Sequence, residues 1–236
     1  MKIGAITTAY NEASIIRGTL RCLKPFVDRH IVLISERPYY KDSGDPDNTD
    51  QICIDEEVEF VKGNWNLEHE QRNLGCYLLK DYDWILWFDA DEMMSPEDLK
   101  KLIDLLKDTK EDGVAIISKV YWKDTNHRFD PYPDHHKIIA TRPTVKYYEK
   151  ACFHGTYKLL DKENAFGITH HHLSYAEPKD ILNKVLHYSH SNEFDGKKWY
   201  EEHFKNWEFG QPVIQPFGTK WNAVYDPLPE ELKNLL

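Results

Sequence analysis

Apolar positions in the first hundred residues switch repeatedly between two periods. Residues 2–8 are apolar and β-rich and read as a strand. Ile15, Ile16, Leu20 and Leu23 then recur at helical spacing. The runs HIVLIS (30–35) and WILWF (84–88) are unbroken, as in strands covered on both faces. Between them, residues 37–48 are polar with Pro and Gly and predict a loop. Asp47-Asn48-Thr49 predicts the cap of a short helix through Ile52, and 58–61 a short strand. Leu67, Gln71, Leu74 and Leu78 mark one helical face. Ser95-Pro96-Glu97-Asp98 opens a further helix, with Ser as N-cap, Pro in the first turn and Asp three past the cap. Its buried stripe is Leu99, Leu102, Ile103 and Leu106, and residues 113–120 form the next strand.

This β-α-β-α order with short loops predicts an α/β fold: a Rossmann-like, mainly parallel sheet flanked by helices. Ligands of such sheets sit beyond the carboxyl ends of the strands, so chemistry is sought just after each strand. The second half differs. Residues 122–133 are polar and aromatic without a clean period, 137–141 and 145–148 read as short strands, and 178–189 as a helix. From Glu193 onward nine of 44 residues are aromatic, against 13% overall. That predicts a C-terminal helical and aromatic extension that packs on the sheet or lines a groove. The expected organisation is a core over 1–120, with 121–236 a second half and extension of the same domain.

The chain has 236 residues, 41% of them hydrophobic, which is ample for a core. Its net charge of −10 argues against a general nucleic-acid binder, which would show a basic face. No stretch approaches the roughly 18 apolar residues of a membrane span. Met1-Lys2 runs straight into IGAIT without a signal-peptide pattern, so a cytoplasmic protein is expected. Cys22, Cys53, Cys76 and Cys152 form no CxxC and read as buried thiols.

The sharpest chemical signal is Phe88-Asp89-Ala90-Asp91-Glu92, directly after WILWF. Two carboxylates two residues apart at a strand end approach one hard cation together, and Mg2+ or Mn2+ prefers oxygen ligands while leaving positions for phosphate and water. Three stretches then resemble family 2 glycosyltransferases of the GT-A fold: AITTAYNEASII (5–16), EHEQRNLG (68–75) and DWILWFDADEMMSPEDL (83–99). Their order and spacing cover roughly the first 120 residues. The resemblance implies that residues 1–120 bind a nucleotide diphosphate sugar, that 121–236 build the acceptor side, and that a sugar is transferred to an acceptor hydroxyl with inversion and a divalent metal, Mn2+ or Mg2+.

By that resemblance Asp91 is the more direct metal ligand, and Asp89 holds the metal or bridges to the ribose. Thr7, Ala9, Asn11 and Glu12 lie near base and ribose. Glu12 has a second reading as a first-turn carboxylate favouring the helix dipole. Arg72 either touches base or diphosphate or pairs with Glu68 at i,i+4. The family's usual Asp after the second strand is replaced by Ser35-Glu36, which makes Glu36 the candidate there. In the run His170-His171-His172, His172 of HHLSY matches the late histidine that completes the metal site in relatives.

An inverting transfer needs a general base. Relatives offer a carboxylate from a His-Glu pair, but Phe153-His154-Gly155-Thr156 stands there, so the candidates are Asp134 of YPDHHK, preferred, then His154 and Glu149. Trp122, Tyr132, Trp199, Trp207 and Trp221 offer faces for sugar rings or bases, with core packing the more common fate of such rings. The alternatives are a nucleotidyltransferase acting on a sugar phosphate, which would carry a Gly-rich basic loop after the first strand, a metal phosphohydrolase, and a non-catalytic binding module of the same fold. Acceptors open to the chain are a glycan, a protein, a lipid-linked precursor or a modified nucleobase.

Overall fold

The unbroken apolar runs flank the first strand in the middle of one sheet. The computed structural model describes residues 1–40, 44–132, 136–161, 166–177, 179–188 and 190–236. In chain order, β1 (Ile3–Ala9) leads to α1 (Ile16–Leu23), β2 (Arg29–Ser35), α2 (Thr49–Asp55), β3 (Glu59–Gly63), α3 (Glu68–Leu78) and β4 (Trp84–Asp89). Then come β5 (Glu92–Met93), α4 (Pro96–Asp108), β6 (Gly113–Ile116), β7 (Lys119–Trp122), β8 (His127–Asp130) and β9 (Lys137–Thr141). A hairpin of β10 (Lys146–Glu149) and β11 (Cys152–His154) precedes β12 (Tyr157–Leu160) and β13 (His171–Tyr175). The chain closes with α5 (Ile181–His187), α6 (Gly196–Trp199), β14 (Val213–Ile214), β15 (Lys220–Tyr225) and α7 (Glu230–Lys233).

The seven-stranded sheet runs β12-β6-β9-β4-β1-β2-β3. β1 is parallel to β2 and β4, β2 to β3, and β12 to β6, while β9 is antiparallel to both its neighbours. The sheet is therefore mainly parallel, and two of its strands come from beyond residue 120. WILWF is unbroken because alternate side chains enter different cores. Ile85 and Trp87 pack with Ile6, Ile31 and Leu33 beneath Cys76 and Leu79. Trp84, Leu86 and Phe88 pack with Leu99, Leu102 and Leu106 of α4. The N-terminus of α4 is capped as its sequence predicts, with the Ser95 hydroxyl accepting from the Asp98 N–H at 3.1 Å.

The expected strand over 113–120 is two strands. β6 stays in the seven-stranded sheet, and β7 enters a second sheet of order β14-β15-β8-β7-β13-β5. The transfer occurs at Ile117-Ser118. Ile117 N–H donates to the Leu160 carbonyl at 3.0 Å, and Lys119 N–H to that of His170 at 2.9 Å. The aperiodic stretch before Pro133 contains β8, whose pattern is hidden because Phe129 alone of its four residues is buried.

This second sheet carries an aromatic core. Trp122 is fully buried, with ring centroids 4.8 Å from Phe204, 5.5 Å from Phe129 and 6.1 Å from Trp199. The aromatic tail thus holds α5 and α6 against the second sheet. Cys22, Cys53 and Cys76 are buried free thiols, whereas Cys152 is exposed, correcting the reading of four buried thiols.

Close approach of α3 to the sheet rests on Gly75. A Cβ there would lie 2.8 Å from the Trp87 ring and 3.0 Å from Ile6. Gly75→Val is expected to lower stability by about 1–3 kcal/mol through overpacking, read by urea unfolding. A loss below about 0.5 kcal/mol would show that α3 does not sit this close.

Candidate functional site

A cavity of about 540 Å³ opens at the carboxyl ends of β1, β2 and β4. Thr8 to Glu12 line it from β1 and the following turn, Ser35 from the end of β2, and Arg72 from α3. Asp89, Ala90 and Asp91 line it from the end of β4, Lys137 from the start of β9, His172 and Ser174 from β13, and Lys184 from α5. The seven-stranded sheet supplies one wall and the second sheet with its helix the other.

Asp89, Asp91 and Glu92 each have a cation from a later segment. Asp89 receives the Thr8 hydroxyl at 2.9 Å and the Lys137 ammonium at 2.5 Å, with the Arg72 guanidinium at 3.4 Å. Burial opposes ionisation of Asp89, but Lys137 and Arg72 outweigh it and hold the carboxyl below its ordinary range. Asp91 is ion-paired to the Lys184 ammonium, and its Oδ2 lies 3.4 Å from His172 Nε2. Burial acts against its charge too, and Lys184 and His172 overcome it, holding Asp91 well below the usual carboxylate range. Glu92 is completely buried. Its Oε2 accepts the Asp89 backbone N–H at 2.6 Å and also pairs with Lys137, while Oε1 has no hydrogen-bond partner among the described residues. Burial raises its pKa despite Lys137.

Glu12 faces the same cavity, 4.0 Å from the Lys184 ammonium. Burial, with the nearby charges of Asp91 and Asp89, pushes its carboxyl up to about 7 even though Lys184 opposes this. Of the three histidines, burial lowers His170 and His171, which bond Ser118 Oγ at 2.8 Å and Tyr121 Oη at 2.9 Å. His172 alone lines the cavity; burial depresses it, but Asp91 more than offsets this and raises it.

The structure brings together Ala9, Asn11, Glu12, Arg72, Asp89, Asp91 and His172. Asn11 adopts the left-handed backbone at φ 56°, and its amide is committed: Nδ2 donates to the Asp45 carbonyl and Oδ1 accepts from Asp47 N–H, both at 2.9 Å. It ties the turn after β1 to the 45–47 loop. Arg72 pairs with Glu68 at 2.7 Å and also lines the cavity.

Four of the predicted donor-site and base residues lie elsewhere, among them Glu149, which is exposed at the end of β10 and outside the cavity lining. The Thr7 hydroxyl is buried against His30 Nε2 at 2.9 Å, because alternation along β1 turns it away from the cavity that Thr8 faces. Glu36 is outside the cavity lining and accepts from Asn64 at 3.3 Å. His154 is exposed on the β10–β11 hairpin, stacked on Tyr148 with centroids 4.4 Å apart, and is also outside the lining. Asp134 falls outside the described residues. Sequence reasoning missed Lys137 and Lys184. Lys184 carries no motif and sits i+4 from Asp180, the spacing of an ordinary helical surface pair.

Among the described residues no cluster of three or more His, Cys, Asp or Glu side chains is arranged to hold a metal. The Asp91–His172 pair suits a hard ion that takes its other ligands from phosphate and water, and a positive group, the Lys184 ammonium, already rests on Asp91.

The sequence matches the profile described as Glycosyl transferase family 2 over residues 5–167. A protein of Mycoplasma pneumoniae called an uncharacterized glycosyltransferase is 27% identical over 188 residues, covering 69% of this chain and 58% of that one. An uncharacterized protein of Methanocaldococcus jannaschii is 31% identical over 127 residues, covering 49% of this chain and 51% of that one. The chain thus spans between half and three-fifths of the length of these curated relatives. Among solved structures, S. aureus TarS 1-349 is similar with a TM-score of 0.51 at 15% identity, over 78% of this chain and 63% of that chain. That likeness is one of fold, and the fold is the GT-A arrangement expected from the sequence.

Removing the cation shared by Asp89 and buried Glu92 leaves two carboxylates facing each other. Lys137→Met is expected to cost about 3–5 kcal/mol in urea unfolding, and adding Glu92→Gln to recover part of it. A cost under about 1 kcal/mol would show that the pairing is not structural. The Glu12 shift has its own signature. The folded state holds the Glu12 proton up to about pH 7 and the unfolded chain only to about 4.5, so this group's stabilisation is complete below 4.5 and lost as pH rises through 7. The stability difference between wild type and Glu12→Gln should therefore shift against wild type across that window. A difference constant with pH would place Glu12 in ordinary solvent.

Proposed function

The chain belongs to glycosyl transferase family 2, and on that premise we propose that it transfers a sugar from a nucleoside diphosphate sugar to an acceptor hydroxyl, with inversion, in the cavity at the strand ends. The observation that carries the reading is the pair Asp89 and Asp91, held ionised at the end of β4 and facing a cavity of about 540 Å³ beside Arg72, Lys137 and Lys184. An acidic protein thereby offers an anionic donor positive groups inside its cavity.

In this reading Glu12 and the turn after β1 face the nucleoside, and Arg72 backs the Asp89 carboxylate from behind. Asp89, which already accepts from Thr8 and Lys137 and lies beside Arg72, is a positioning carboxylate for the ribose, whose hydroxyls donate to it. Asp91 and His172 would hold Mn2+ or Mg2+, and such an ion supplies Lewis-acid neutralisation of the charge that develops on the departing diphosphate. The C-terminal half, with Lys150, Tyr188, His190 and Phe217 in the cavity lining, forms the acceptor side in this reading. The acceptor hydroxyl gives its proton to a general base as its oxygen attacks the anomeric carbon. Asp134 is the proposed base; it lies two positions before His136 and three before Lys137, which both line the cavity. Among the described residues no helix is long and apolar enough to cross a membrane.

The test is a panel of nucleotide sugars with Mn2+ and varied acceptors, monitored for released nucleoside diphosphate. Release is expected for one donor. Asp91→Asn, checked for folding by circular dichroism, should reduce it by about 10²–10³-fold, the scale of one electrostatic contributor. Release of pyrophosphate from a nucleoside triphosphate with a sugar phosphate would instead identify a nucleotidyltransferase, and binding without any release a non-catalytic module. Undiminished activity in Asp91→Asn would put the site elsewhere.

A further inference from the structure

The two lysines at the end of β4 are not equivalent. Lys137 is shared between Asp89 and Glu92, and Glu92 is completely buried. It cannot leave without stranding a carboxylate in the core. Lys184 pairs with one carboxylate, Asp91, at the cavity wall, and its second acidic neighbour, Glu12, is 4.0 Å away. α5 is anchored by Ile181 and Val185 in the aromatic core, which leaves Asn183, Lys184 and His187 facing the cavity. The ammonium thus reaches Asp91 within the cavity that a donor would fill. Four flexible methylenes let it swing within that space while its backbone stays fixed.

Resting on the donor-site reading above, we propose that Lys184 is the resident counter-ion of that site: it occupies the cation position on Asp91 until the donor arrives, then releases Asp91 and pairs with the diphosphate. A divalent ion and an ammonium on the same carboxylate repel each other, so each weakens the other's hold on Asp91. Metal alone therefore competes with a lysine already paired to Asp91, whose other acidic neighbour is Glu12 at 4.0 Å. Once a diphosphate is present, the ammonium has a new anionic partner and Asp91 with His172 becomes free to take metal. Metal and nucleotide binding are then positively coupled, and by linkage each tightens the other by the same factor. Lys184 is a positioning residue in this scheme, acting through charge on the binding of two other groups.

The experiment is Mn2+ binding to the full chain, read by the electron paramagnetic resonance of free Mn2+, alone and with each of uridine, guanosine, cytidine and adenosine diphosphate. Wild type is expected to bind Mn2+ at least 10-fold more weakly alone than with nucleotide. Lys184→Met should bind Mn2+ alone at least 10-fold more tightly than wild type, bind the nucleoside diphosphate at least 10-fold more weakly, and lose most of the coupling. Lys184→Arg, which keeps the charge, should retain weak binding of Mn2+ alone. Thermal melts report whether each variant is folded, and the wild-type ratio needs no variant at all. A wild-type ratio near one, or a folded Lys184→Met that gains no affinity for Mn2+ alone, overturns the proposal. Tighter Mn2+ binding in Lys184→Met, with no nucleoside diphosphate bound by any form, supports the lysine as the cation's competitor and removes the donor-site reading instead.

Discussion

Asp89 and Asp91 at the end of β4 stay charged, although burial opposes it, because cations from two distant segments reach them. Asp91 is 3% exposed and Glu92 wholly buried. An unpaired charge in such a place would neutralise or unfold the strand end. Lys137 from β9 and Lys184 from α5 prevent this, together with Arg72 from α3. The acidic turn is thus the meeting point of the seven-stranded sheet, the second sheet and the helix packed on the aromatic core.

That dependence explains the architecture of the second half. β9 runs antiparallel into an otherwise parallel sheet, and its first residue is Lys137. β13 pairs with β5 just after the acidic turn and sets His172 opposite Glu92 in the ladder. The aromatic cluster around Trp122 is far from idle bulk: it fixes α5, and α5 sets the reach of Lys184. A parallel sheet supplies a strand end at which to place carboxylates, and the later segments supply the positive charge that lets those carboxylates be used.

The parts of this arrangement that are local in sequence are legible there. HIVLIS and WILWF announce buried strands because both faces of each are covered, and Ser95-Pro96 announces its helix because capping is settled within four residues. Asp89 and Asp91 stand out because they directly follow such a strand. Partners set by long-range contact are not legible. Lys137 lies 48 residues from Asp89 and Lys184 lies 93 from Asp91, so no window joins them. The Asn11 side chain looks free for a nucleoside, yet a loop more than thirty residues on claims it. The break at Ile117-Ser118 is invisible for a related reason: both halves are β, and the change of sheet is made by hydrogen bonds to Leu160 and His170.

The most direct measurement is a crystal structure of the chain with Mn2+ and a nucleoside diphosphate. Density for the metal on Asp91 and His172, with the diphosphate between them and a Lys184 ammonium drawn off Asp91, is the expected result. A nucleotide bound outside the strand-end cavity, or one bound inside it with Lys184 still paired to Asp91 and no ion there, would contradict it.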